Sequence, residues 1–182
     1  MQNFLHTIYC LRYSQAVLIS FLLLWLFAAL QVKFGSRRWW RPACISGALL
    51  MAIVIVTATL LSREPGTVQT VRLQPFYALR TYLAGVNSEG LRTSFMNALL
   101  FLPLGVLGVA AQKGKRPLWK RALPIVLLCC LLSACVESAQ YLLACGETEL
   151  DDVICNTLGA LLGCVLGPAL YHLVSCADRR NG

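Results

Sequence analysis

Charge is scarce in this chain. Of 182 residues only 13% are Asp, Glu, Lys or Arg, about half the share usual in soluble domains, roughly a quarter. An ordinary water-soluble core is therefore excluded. Histidine is nearly absent, with His6 and His172 only, and both lie far from any cysteine cluster. The nine cysteines never form CxxC, so the ligand spacing of a structural zinc site is missing. Most of them, including Cys129, Cys130, Cys135 and Cys164, fall inside apolar runs, where cysteine packs as a small hydrophobe. No metal and no cofactor is expected. A phosphate-binding glycine loop and a nucleophile elbow are also lacking, which removes the most readable signatures of enzymatic chemistry.

What the chain has in plenty is apolar length. Hydrophobic residues make up 58% and the mean hydropathy is +0.66. Five runs, near 14 to 34, 43 to 62, 94 to 111, 123 to 144 and 153 to 175, each reach the roughly 17 to 25 helical residues that cross a bilayer. The fold expected is all-α: a polytopic transmembrane bundle of about five helices. Residues 1–42 form an N-terminal segment with the first span and a basic loop. Residues 43–175 form the main membrane domain, and 176–182 a short tail.

Arg12 precedes the first run, but Lys33, Arg37, Arg38 and Arg41 follow it. That asymmetry opposes a cleaved secretory signal and favours a retained helix whose C-terminal end is cytoplasmic. Trp39 and Trp40 beside this loop suit the headgroup level. Lys113, Lys115, Arg116, Lys120 and Arg121 mark a second cytoplasmic loop, whereas Glu147, Glu149, Asp151 and Asp152 stand together without a basic neighbour. The expected orientation is N terminus outside and C terminus inside, in the cytoplasmic membrane. The net charge of +8 reads as this topology signal, and nucleic acid is not an expected partner. Residues 63–93 read as an ordered outer loop with a short interfacial helix, since Leu73, Pro75, Phe76, Tyr77 and Leu79 are too apolar for a linker.

Polar residues inside membrane spans are costly and point to function or tight pairing. Here they are few: Asn97 in the third span, Glu137 and Gln140 in the fourth, Asp152 and Asn156 opening the fifth. With the topology above, all five lie at a similar depth on the outer side. Asp152, Asn156, Gly159 and Gly163 follow steps of four, three and four, one helical face. Gly159, Gly163 and Gly167 make the small-residue seam that lets helix backbones approach closely, and Gly105 shares the face of Asn97. The simplest packing closes these faces into a polar pocket. A plainer reading stands beside it: amides often hold membrane helices together, and an aspartate opening a helix is an ordinary cap.

At these residues the chain resembles the VanZ-like family of bacterial membrane proteins. Asn97-Ala-Leu-Leu-Phe-Leu-Pro103-Leu-Gly105, then Glu137-x-x-Gln140, then Asp152-x-x-x-Asn156-x-x-Gly159-x-x-x-Gly163 carry the resemblance, with Leu73-Gln74-Pro75-Phe76 ahead of them. It covers about residues 45 to 170. The resemblance implies an envelope protein linked to resistance to glycopeptide antibiotics of the teicoplanin type. It also implies an arginine shortly before the last aspartate. Here Glu147 and Thr148 occupy that region, so Arg72, Arg80 or Arg92 would have to substitute.

The expected function is an outward polar pocket that binds or shields a lipid-linked or cell-wall group, with Asn97, Glu137, Gln140, Asp152, Asn156 and Arg72 as ligand contacts. Two alternatives remain open. One is a membrane-embedded transferase or hydrolase with Glu137 as general base. The other is a small ion-coupled carrier with Glu137 as relay acid, although no internal repeat supports it. The sequence does not set the oligomeric state.

Overall fold

A computed structural model gives the fold, and it describes residues 2–34, 39–61, 70–86, 88–112, 116–144 and 147–181. Six α-helices account for most of it: α1 (Gln2–Phe34), α2 (Trp40–Val56), α3 (Tyr77–Leu83), α4 (Glu89–Ala110), α5 (Leu118–Leu142) and α6 (Leu150–Asn181). All but α3 are long and apolar enough to cross a membrane. The fold is thus the expected all-α bundle of five membrane-length helices. Arg37, Arg38, Lys113, Lys115 and the expected break at residues 63–66 lie outside the described residues.

Several helices run beyond their apolar runs. The first apolar run starts near residue 14, yet α1 is continuous from Gln2, because neither glycine nor proline interrupts residues 2–34. Similarly, α4 begins at Glu89 instead of Ser94 and α6 continues to Asn181.

The hub of the bundle is α4. Of its length 56% is buried, against 17% to 33% for the other four spanning helices, and it touches every other helix. Its closest neighbour is α6, and glycine is the cause. A methyl group placed on Gly159 would collide with the carbonyl oxygen of Ala98, one on Gly163 with that of Leu102, and one on Gly105 with that of Ala160. Two ladders with steps of four residues therefore lie backbone against backbone, the contact that small residues permit in membranes. Below the polar layer the hydrophobic core joins Leu100 and Phe101 of α4, Cys129 of α5, Ile55 of α2 and Ala160 of α6.

At the basic end, the last carbonyls of α4 receive side-chain donors. Trp40 Nε1 donates to Ala110 O at 2.8 Å, and Arg121 Nη2 donates to Val109 O at 2.9 Å. A cation there also complements the negative end of the helix dipole. Trp39 is exposed, whereas Trp40 beside it turns inward. It is buried against Phe27 and Tyr171, since its indole is the cap of α4.

The opposite end carries a cover. Strand β1 (Thr70–Arg72) pairs in parallel with β2 (Glu147–Glu149), Thr70 opposite Glu147 and Arg72 opposite Glu149. The short helix α3 follows, entered through Phe76 in the left-handed region at φ 58°. The outer-loop reading anticipated the short helix and missed the strands, whose pairing across some 77 residues of chain leaves no local pattern.

Candidate functional site

The polar layer lies where α2 and α5 end and α4 and α6 begin. Sequence periodicity places Ser133, Glu137 and Gln140 on one face of α5, and in the structure all three are buried. On α6 the same holds for Asp152 and Asn156, and on α4 for Asn97. The five expected residues are between 1% and 5% exposed, so none of them faces lipid.

The contacts show how the layer is joined. Asn156 Nδ2 donates to Ser133 Oγ at 2.8 Å, tying α6 to α5. One helical turn above Ser133, Glu137 Oε2 accepts the backbone N–H of Glu149 at 3.0 Å, and its carbonyl accepts Thr148 Oγ1 at 3.3 Å. Strand β2 thus hangs from α5 through Glu137. Asn97 adjoins Ala98, whose carbonyl faces Gly159, so the glycine seam sets Asn97 level with the start of α6.

Gln140 reaches the other way. Its Nε2 donates to Thr59 O at 3.1 Å, within the π-helical turn Thr57–Leu61 that ends α2. Wide turns of this kind leave a carbonyl out of the regular ladder, and the amide satisfies it. A carbonyl only accepts, so the amide orientation is fixed and Oε1 points elsewhere. Gln140 Oε1 and Asn156 Oδ1 are buried without a hydrogen-bond partner in the fold.

Arg72 meets the two acids of β2. Its guanidinium lies 2.5 Å from Glu149 Oε1 and 2.7 Å from Glu147 Oε2, and over the Tyr77 ring at 4.5 Å. Arg80 and Arg92 are exposed. The Glu149 carboxyl is pushed up from the usual 4.5 to about 7, chiefly by burial and then by the neighbouring Asp152, with Arg72 opposing the shift. Asp151, from sequence either an ordinary cap at its own helix start or part of the polar site, caps α3: its two carboxylate oxygens accept Phe76 N and Ala78 N. Thr59 gave no signal at all in sequence, being one more residue of an apolar run.

Among the described residues, no group of three His, Cys, Asp or Glu side chains is placed to hold a metal ion. The arrangement offers acceptors and donors together: carboxylates, amides and the buried Ser94 hydroxyl, which has no hydrogen-bond partner in the fold, under a cover that a salt bridge and a helix cap hold in place.

Comparison with known proteins gives one match. The profile of the family described as VanZ/LLP1 matches residues 43–171, which contain every residue of this layer. No curated protein and no solved structure matches the chain.

Proposed function

The chain belongs to the VanZ/LLP1 family, and from that membership together with its five membrane-length helices we propose that it is a multi-pass protein of a bacterial cytoplasmic membrane whose polar layer binds or shields a lipid-linked or cell-wall group and so lowers the access of glycopeptide antibiotics. The N terminus and the covered end face outward, and the end bearing Trp40 and Arg121 faces the cytoplasm. Basic residues gather at that inner end and acids at the other, the pattern of cytoplasmic retention of positive charge.

One observation carries the reading. Polar side chains from three helices share a single buried level, where each is expensive to place unless it serves a purpose, and two of their acceptor atoms find no donor in the fold. Pure helix-to-helix glue would satisfy both ends of such amides.

The test is expression in a glycopeptide-susceptible host, with membrane insertion verified, followed by measurement of teicoplanin inhibition. A raised inhibitory concentration that disappears in Asn156→Leu supports the reading. An unchanged value with wild type removes the resistance role.

A further inference from the structure

At the end opposite the polar layer, two segments of chain converge on α4. Trp40 Nε1 donates to Ala110 O, and Arg121 Nη2 donates to the carbonyl just before it, Val109 O. Gln112 adds a tie, its Nε2 donating to Arg121 O at 2.9 Å. The start of α2 and the start of α5 are thereby pinned to consecutive carbonyls of one helix end.

The residues that flank the two pins are turned out of the fold. Trp39 and Arg41 stand on either side of Trp40, while Arg116, Trp119 and Lys120 precede Arg121, and all five are exposed. Each of the two tryptophans is 64% exposed. The Lys120 ammonium lies 5.1 Å from the centre of the Trp119 ring. No Asp or Glu occurs in residues 33–41 or 112–121, and of the eight in the chain only Asp178 belongs to this end, with Arg179 and Arg180 after it. The positive charge here is therefore not balanced by acids of its own end.

Membrane topology asks only for basic residues near the ends of spans. It does not ask that they alternate with exposed tryptophans, or that they be fixed around one helix terminus. The pins also remove an obstacle to an anion. Bare carbonyls at a helix C-terminus carry partial negative charge, and an indole and a guanidinium cover two of them. Next to these residues, Leu118 and Leu123 of α5 and Ile45 and Leu49 of α2 expose apolar surface.

We propose that this end binds anionic phospholipid of the adjoining leaflet. Phosphodiester heads lie against Arg41 at the start of α2 and against Arg116 and Lys120 at the start of α5, and the acyl chains run along the exposed leucines. This site is separate from the polar layer and does not depend on the function proposed for it.

The experiment uses the full-length protein in nanodiscs that hold equal amounts of phosphatidylglycerol and phosphatidylcholine with the same acyl chains. Lipid retained on the protein is read by native mass spectrometry. Retention of phosphatidylglycerol about tenfold over phosphatidylcholine is expected, the effect that one or two basic residues exert at a membrane surface. Arg41→Gln and Lys120→Gln, one from each segment, should each lower the preference about fivefold. Arg80→Gln combined with Arg92→Gln removes more charge, from exposed positions at the other end, and should leave the preference unchanged.

Equal retention of the two lipids by the wild type would overturn the proposal. So would an equal fall in the variant of Arg80 and Arg92, which would reduce the effect to net charge. Displacement of the lipid by excess glycerol phosphate would overturn it too, because the site would then take a soluble phosphate ester. The wild-type comparison decides the matter even where a variant fails to fold, and none of these outcomes touches the reading of the polar layer.

Discussion

Asp151 Oδ1 accepts the backbone amide of Phe76 at 2.5 Å, although 75 residues separate them in the chain. Its other oxygen accepts Ala78 N at 2.9 Å. The first turn of α6 thereby caps α3, and the cover is fastened to the same helix that supplies Asp152 and Asn156. Arg72 adds a second fastening, to β2, which Glu137 holds in turn. Cover and polar layer are consequently one mechanical unit.

Asp151→Ala should loosen this unit. Loss of a helix cap costs about 0.5 to 2 kcal/mol, and a buried and a part-buried amide lose their acceptor at once, so about 2 kcal/mol is expected. Asp151→Asn keeps one acceptor and should lose roughly half as much. Hydrogen exchange at residues 70–86 would report it, with faster exchange there in Asp151→Ala and little change in α4.

Stability should also depend on pH through Glu149. Its carboxyl in the folded state titrates at about 7, above the usual 4.5, so the native protein holds this proton more tightly than the unfolded chain. The contribution is complete below about pH 4.5 and is lost as pH rises through about 7. Thermal unfolding in detergent should therefore show a midpoint that falls across this window. Glu149→Gln, which cannot lose a proton, should flatten that part of the profile.

The sequence made the bundle legible because five apolar runs have only one common solution in a bilayer, closed helices. It made the buried layer legible because Glu137, Gln140, Asp152 and Asn156 break those runs with helical spacing. What it hid depends on contacts between distant segments. The β1 and β2 strands are three residues each and pair across some 77 residues. The cap that Asp151 gives to α3 and the inward turn of Trp40 were hidden too, since neither the amides of α3 nor the open carbonyl of Ala110 is visible from local pattern. That Arg72 pairs with the acids of β2 is likewise visible only in the strand register, which sets it opposite Glu149.

The glycine seam predicts a graded series. Gly159→Val should abolish correct folding, or cost at least about 3 kcal/mol at the upper end of overpacking penalties, because the new carbons meet the Ala98 backbone, which cannot move alone. Gly167→Ala should be milder: its nearest obstacle, Val106 O, lies 2.9 Å from the added carbon. Comparing the yield of monodisperse protein and the unfolding midpoint for the two variants checks the order.

Glu137→Gln separates a binding role from a catalytic one. Glutamine keeps an oxygen able to accept Glu149 N–H, so β2 should stay in place and the protective effect against teicoplanin should persist. Glu137→Leu removes the acceptor from a part-buried amide, a loss of about 1 kcal/mol at the lower end of the range for unmade bonds, and should reduce both expression and protection. Loss of protection in well-folded Glu137→Gln would instead favour Glu137 as a general base, whose proton transfer the amide cannot perform.

The orientation of the bundle decides whether any extracellular antibiotic can be concerned with this layer. Lys33, Arg41, Lys120 and Arg121 flank spans at one end, where Arg121 also caps α4, while acids crowd the other. Five spans put the two termini on opposite sides, so the charge bias predicts the C terminus and Lys120 inside, and Gln74 and β2 outside. A membrane-impermeant maleimide should label Gln74→Cys in intact cells above the wild-type background, and Lys120→Cys only after permeabilisation. The reverse pattern would turn the polar layer toward the cytoplasm, beyond the reach of a glycopeptide. The protective role would then fall, since no antibiotic outside the cell could meet Glu137 or Asn156.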